Sequence, residues 1–470
     1  MLKTRRPYLL TAIACLYIGM PLGHAEDTDS LKAPGAALSH EKVIEIPSAD
    51  GDSVMLQATL DLPDGSGPFP LVVMNHGANG SMPPPDQPRY HLTFSAYYFL
   101  SRGYAVVLPM MRGYAGSQGH LKHYGCDYAA TGISDAQDIK AVVDYMKTQP
   151  SIDGSRIVVA GQSFGGWNTL ALGTMDVPGV RGLVSFAGGM DESDCLFSSR
   201  ALINAAGELG AHNKVPSIWF FGDNDKVFSK DTWHAMHERY VSAGGSAELV
   251  AYGAFGQDAH NMLGSAEALP LWVPRLDAFL ARLGMPHTDV NPEYMPTPVP
   301  PASGYAAIDD AQALPYLGVA GQAYYKKFLE RPLPRAFAIG MHSAASTTGG
   351  FDPIAQAIKL CSQRSPGCRL YAVDDTVVWT RPTPAPPASD FAKLDDASAV
   401  PYLNDSGRVG YQKFLQLPRP RVFTIAPDGG WDASALGPDP VKYSLDHCGQ
   451  RHRGCRIYAV DGSVVWQGAK

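Results

Sequence analysis

The chain has 470 residues and a formal net charge of −7. That length exceeds the roughly 100–200 residues of one compact domain, and 45% apolar against 18% charged residues excludes wholesale disorder. The acidic balance argues against a nucleic-acid binder, whose phosphate contacts need a basic face.

Residues 1–25 read as a secretory signal peptide. Lys3, Arg5 and Arg6 open it, residues 8–22 are mostly apolar, and Gly23-His24-Ala25 puts small residues at the cleavage positions before Glu26. The apolar run is too short for a comfortable transmembrane helix. The expectation is an exported chain, periplasmic or extracellular, with no membrane span after cleavage. Thr4-Arg5-Arg6-Pro7 also resembles a twin-arginine signal, and Cys15 keeps an acylated lipoprotein open as an alternative.

Cleavage removes Cys15 and leaves six of the seven cysteines, which suggests disulfides rather than metal or redox centres. Cys361 and Cys368 stand seven apart, as do Cys448 and Cys455, and each pair ends in Gly-Cys. Cys126 and Cys195 remain, by elimination a third bridge, or else two unpaired core residues. No CxxC or HExxH pattern occurs, so no metal is expected, and no cofactor either.

Residues 38–285 alternate strand and helix signals, the signature of an α/β fold with a mostly parallel sheet. Residues 41–62 alternate in polarity and open that sheet as an antiparallel pair. Residues 71–74, 105–108, 157–160, 183–186 and 218–221 are short apolar runs suited to buried parallel strands. Within residues 134–146, Ala136, Ile139, Val143 and Met146 share one helical face, with Asp135, Asp138, Lys140 and Asp144 elsewhere.

Gly161-Gln162-Ser163-Phe164-Gly165-Gly166 lies between a strand over 156–160 and an apolar helix over 167–172. A tight strand-to-helix turn lifts a serine oxygen above the sheet edge, and the flanking glycines tolerate the crowding. The helix N-terminus adds N–H groups for developing negative charge. Ser163 is the candidate nucleophile.

With this elbow in place, residues 40–285 resemble the α/β-hydrolase superfamily, most closely its dienelactone-hydrolase-like and acyl-esterase/peptidase branches. The resemblance implies that Asn75-His76-Gly77-Ala78 carries the oxyanion loop, with the Ala78 and Phe164 N–H groups holding the oxyanion. Phe221-Gly222-Asp223-Asn224-Asp225-Lys226-Val227 matches the family's Gly-x-x-Asp-x-x-Val and assigns Asp225 as the acid, with Asp223 as its competitor. His260, in the loop after the strand over 248–252, takes the place of the general base. The segment over 112–119 looks like the family's Arg-Gly-x-Gly-x-Ser loop and is read as structural. Serine replaces the cysteine of dienelactone hydrolases proper, so a small-molecule carboxylic ester becomes the implied substrate. A serine peptidase of the same fold, or a non-catalytic binding protein on this scaffold, is the alternative. Residues 114–132 and 189–215 have room for a modest cap, which a Cys126–Cys195 bridge would tie together.

Proline-rich residues 286–301 and 381–387 read as semi-rigid linkers. They precede two copies of one unit, residues 302–380 and 388–470. Asp309-Asp310-Ala311 recurs as Asp395-Asp396-Ala397, Pro315-Tyr316-Leu317 as Pro401-Tyr402-Leu403, and Val377-Val378-Trp379 as Val464-Val465-Trp466. Each copy reads as a small α+β module: helix, strand, helix into the first cysteine, hairpin. Tyr316/Tyr402, Tyr325/Tyr411 and Trp379/Trp466 are candidate platforms for cell-wall glycans, or simply the aromatic cores of small modules.

Overall fold

A computed structural model describes residues 41–49, 51–91, 94–191, 195–435 and 439–468. The expected signal peptide, with Cys15, lies outside these residues. β1 (Lys42–Ser48) and β2 (Gly51–Asp61) form the expected antiparallel pair. β3 (Phe69–Asn75), β4 (Ala105–Pro109), β5 (Ile152–Gln162), β6 (Val180–Phe186), β7 (Ser217–Phe221) and β8 (Ala247–Ala251) complete one sheet of order β1-β2-β4-β3-β5-β6-β7-β8. β4 runs antiparallel to β2, and every later pairing in the sheet is parallel.

The helices of this domain are α1 (Phe94–Ser101), α2 (Tyr128–Lys147), α3 (Phe164–Leu172), α4 (Ser198–His212), α5 (Lys230–Ser242) and α6 (Leu269–Arg282). They cover both faces of the sheet, which is why its strands are continuous apolar runs. Leu71 and Val73 of β3 join the core under α2, α3, α4 and α5, while Val72 and Met74 join the core under α1 and α6. This is the α/β-hydrolase fold. The strand order reverses at β4-β3, and the carboxyl ends of β3 and β5 lie side by side with Asn75 opposite Gly161, so a crevice opens there.

Two helix starts differ from the sequence reading. α2 begins at Tyr128, because the Asp127 side chain accepts the Ala130 N–H (2.9 Å) and caps it earlier. Asp135 and Asp138, placed off the apolar face by periodicity, are both buried. Asp138 accepts from Arg112 Nη2 (2.8 Å) and the Ala49 N–H (2.9 Å), partners that periodicity cannot reveal. α3 starts at Phe164, directly after the nucleophile turn.

The first module holds α7 (Val319–Leu329), β9 (Arg335–Ile339), β10 (Ala344–Thr348), α8 (Pro353–Ser362), β11 (Arg369–Val373) and β12 (Thr376–Val377), with sheet order β10-β9-β11-β12. The second repeats it with α9 (Asp405–Phe414), β13 (Arg421–Ile425), β14 (Trp431–Ala435), α10 (Pro440–Gly449), β15 (Arg456–Val460) and β16 (Ser463–Val464), ordered β14-β13-β15-β16. The edge strands β10 and β14 carry no apolar run and escape a pattern reading. Tyr325, Trp379, Tyr411 and Trp466 are buried in the module cores, which removes them as glycan platforms.

The proline runs pack against the modules instead of spanning open linkers. The Thr297 N–H and hydroxyl both donate to Asp352 Oδ2 (2.7 Å each), and the Thr383 hydroxyl donates to Asp439 in the same way. Further along, the Ser303 and Ser389 N–H groups donate to the Val377 and Val464 carbonyls (3.0 and 2.8 Å). Phe351 of the first module stacks on Phe94 of α1 with centroids 5.4 Å apart, docking the module onto the large domain.

Candidate active site

Ser163 sits between β5 and α3 with φ 54° and ψ −122°. A residue with a Cβ is strained there, and such strain persists only when its surroundings enforce it. Here the Ser163 N–H donates to the Phe186 carbonyl (2.9 Å), and its own carbonyl accepts the Trp167 and Gly189 N–H groups (3.0 and 3.2 Å). The glycines answer a close approach of backbones. A Cβ on Gly161 would stand 2.3 Å from the Gly165 carbonyl oxygen, and one on Gly165 2.3 Å from that of Asn75.

The structure brings Ser163, His260 and Asp225 into one hydrogen-bonded chain. His260 Nε2 lies 2.9 Å from Ser163 Oγ, and Nδ1 lies 3.0 Å from Asp225 Oδ2. A carboxylate only accepts, so Nδ1 carries the proton and Nε2 is left as acceptor for the serine hydroxyl. The Asp225 side chain is fully buried, and its Oδ1 accepts the Val227 and Phe228 N–H groups (2.8 and 2.9 Å). Those bonds aim the carboxylate at the imidazole. Asp223, its competitor, lies away from the histidine and pairs with Lys230 (2.8 Å).

Three further residues position this chain. Asp258 Oδ1 accepts the N–H groups of both Lys226 and His260 (3.0 Å each), which staples the acid loop to the base loop. Nothing in its local sequence marks it for this role. Gln162 donates from Nε2 to the His260 carbonyl (3.0 Å), and its Oε1 would lie 2.5 Å from a Cβ on Gly77. It spans from the base loop to the oxyanion loop, a role hidden in the variable position of the elbow. His76 is buried; its Nε2 accepts the Met111 N–H (3.0 Å), and Nδ1 donates to the Gly77 carbonyl (2.9 Å). Burial pushes its imidazole down to about 4, partly offset by the Gly77 bond. A neutral His76 thus holds the loop that leads to Ala78.

Ala78 and Phe164, the expected oxyanion donors, lie on the two segments that meet at the nucleophile. A Cβ on Gly77 would stand 3.3 Å from Ser163 Cβ, and Phe164 opens α3, where first-turn N–H groups have no helical partner. Tyr114 stacks on Phe164 (6.1 Å) and tilts against His76 (4.8 Å), so the segment over 112–119 lines the site. Cys126 and Cys195 are joined, as are Cys361 with Cys368 and Cys448 with Cys455. The first bridge, with the Tyr128 hydroxyl on Ser198 Oγ (2.8 Å), ties together the two segments proposed as a cap. Among the described residues no group of three His, Cys, Asp or Glu side chains is placed to hold a metal ion.

Comparison with known proteins finds partial matches. Residues 50–250 match the model of the X-Pro dipeptidyl-peptidase (S15) family. The chain is 32% identical over 127 residues to the quorum-quenching protein AidA of Acinetobacter baumannii, covering 27% of this chain and 38% of that protein. It is 31% identical over 159 residues to the uncharacterized peptidase YuxL of Bacillus subtilis, covering 32% and 23%. The matches thus span well under half of either relative. Among solved structures, the chain is similar to dipeptidyl peptidase 4 of Porphyromonas gingivalis (18% identity, TM-score 0.41, covering 52% of this chain and 36% of that one). It is likewise similar to an esterase of Pyrococcus furiosus (19% identity, TM-score 0.38, covering 52% and 93%).

Proposed function

We propose that this chain, a serine hydrolase of the α/β-hydrolase superfamily, cleaves carboxylic esters through an acyl-enzyme outside the cytoplasm. The observation that carries the proposal is the unbroken chain from Ser163 Oγ through His260 to Asp225. Ser163 Oγ attacks the ester carbonyl while His260 Nε2 takes its proton, and Asp225 stabilises the imidazolium that forms. The carbonyl oxygen becomes an oxyanion held by the Ala78 and Phe164 N–H groups. Collapse expels the alcohol, which takes the proton from His260. Water then attacks the acyl-enzyme by the same route and frees the acid.

The aromatic surroundings of Tyr114, Phe164 and Phe228 suit an apolar acyl group. Three disulfides fit an oxidising compartment. No described helix is long and apolar enough to cross a membrane.

A peptidase is the second reading, and the family match over residues 50–250 favours it. Capture of a peptide ammonium group calls for an available carboxylate. Asp223 is engaged by Lys230, and Asp258 by two backbone N–H groups, which supports the ester reading. Turnover of short-chain p-nitrophenyl esters, compared with X-Pro p-nitroanilides, tests the choice. Ester turnover lost in Ser163→Ala, with no anilide cleavage, is expected; anilide cleavage at the higher kcat/KM would establish the peptidase.

A further inference from the structure

The two modules share one sequence pattern but not one environment. In the first, the face around Tyr305, Pro315 and Tyr316 is covered by the second module. The Tyr316 N–H donates to the Arg419 carbonyl (2.9 Å). The Arg381 guanidinium lies 4.7 Å over the Tyr305 ring while bonding Asp461 Oδ2 (2.5 Å).

The corresponding positions in the second module are Phe391, Pro401 and Tyr402, each 86 residues further on. All three are more open. Tyr305 and Tyr316 are half-buried, whereas Phe391 and Tyr402 are 46% and 40% exposed; Pro315 is buried, whereas Pro401 is half-buried. Tyr402 nevertheless keeps the positive φ of Tyr316, 66° against 67°. That conformation is costly for a bulky side chain. At Tyr316 it presents an N–H to a partner across a joint; at Tyr402 the N–H has no hydrogen-bond partner among the described residues.

The opposite face of the modules shows the reverse. On the second module, where the joint is made, Pro420 is buried, Arg419 half-buried and Asp461 buried. On the first module, the equivalent Leu333 is 54% exposed, and Pro334 and Asp374 are half-buried. The chain therefore holds one completed joint and one open half of each kind.

We propose that the open face of the second module docks the edge over residues 332–334 of a second copy of this chain, repeating between molecules the joint that links the modules within one. The Tyr402 N–H then donates to the Leu333 carbonyl, and Phe391 and Tyr402 pack against Leu333 and Pro334 instead of water. The contact joins unlike faces, so each dimer keeps a free face and a free edge and growth continues.

Sedimentation of the full chain without its signal peptide, over a wide concentration range, tests this. Mass is expected to rise with concentration through the dimer. Phe391→Asp and Leu333→Asp each weaken association at least about tenfold. Mixing the two variants restores a dimer of one each, because the first keeps an intact edge and the second an intact face. Unchanged circular dichroism and ester turnover in both variants exclude misfolding. The proposal is overturned if the parent chain stays monomeric throughout, or if Leu333→Asp alone still dimerises, which marks a symmetric face-to-face contact. It is equally overturned if a monomeric parent chain is retained on peptidoglycan and released by Phe391→Asp, which marks a glycan site.

Discussion

In the eight-stranded domain, helices on both faces of the sheet enclose two separate cores, and strands such as β3 are buried on both sides. Each module instead lays four short strands against two helices, and holds its shape with local ties. Cys361–Cys368 and Cys448–Cys455 each close a loop with a sequence separation of seven. Arg335 Nη1 donates to the Phe328, Leu329 and Arg331 carbonyls (3.3, 2.5 and 2.7 Å), closing the end of α7. Arg421 does the same for α9 through Phe414, Leu415 and Leu417. A large two-faced core can enforce a strained nucleophile turn and a buried carboxylate. A small module secures little beyond its own fold, so the proposed chemistry belongs to the large domain.

The sharpest way to break this division is Ser163→Ala. Ester turnover is expected to fall at least about 10³-fold while the melting temperature stays level or rises, since strain without chemistry remains to be held. Turnover that survives would move the chemistry elsewhere, the modules included. Next come the disulfides, whose loops differ tenfold in length. Cys126→Ser with Cys195→Ser is expected to cost about 4 kcal/mol, against about 2.5 kcal/mol for either module pair, measured by denaturant titration. Equal costs would show that native strain, not loop length, governs them.

A pH effect separates the regions further. An unfolded imidazole takes its proton near the ordinary value of 6.5, whereas buried His76 resists until about 4. The unfolded state thus binds more protons in this window, so stability is full above pH 6.5 and falls as pH drops towards 4. The loss is about 3 kcal/mol. Thermal melts of the parent chain and His76→Asn across that range should show the slope in the first and a flatter profile in the second. The smallest effect is expected from Arg335→Met or Arg421→Met, about 1–3 kcal/mol from the freed carbonyls, with ester turnover unchanged. Turnover that fell with either would couple the modules to the active site.

Much of this architecture is readable in the residues. The parallel strands announce themselves as apolar runs because both faces are covered, and the elbow does so because glycines must flank a crowded serine. The proposed nucleophile, acid and base follow the ends of β5, β7 and β8, where chain order alone limits the choice. What pattern reading misses is what depends on distant partners. Asp138 looks solvent-facing by periodicity, yet it is buried because Arg112 and Ala49 meet it. Asp258 and Gln162 look like filler until the fold brings Lys226 and His260 to them. The proline runs look like spacers because nothing local shows that Thr297 and Thr383 bond to Asp352 and Asp439. Edge strands β10 and β14, short and built mostly of Ala, Ser and Thr, carry no period to read.

The most direct test of the central claim is labelling with a fluorophosphonate probe followed by peptide mapping. One adduct on Ser163 is predicted, abolished by Ser163→Ala and strongly slowed by His260→Ala. Absence of labelling, or an adduct on any other serine that persists in Ser163→Ala, would contradict the account.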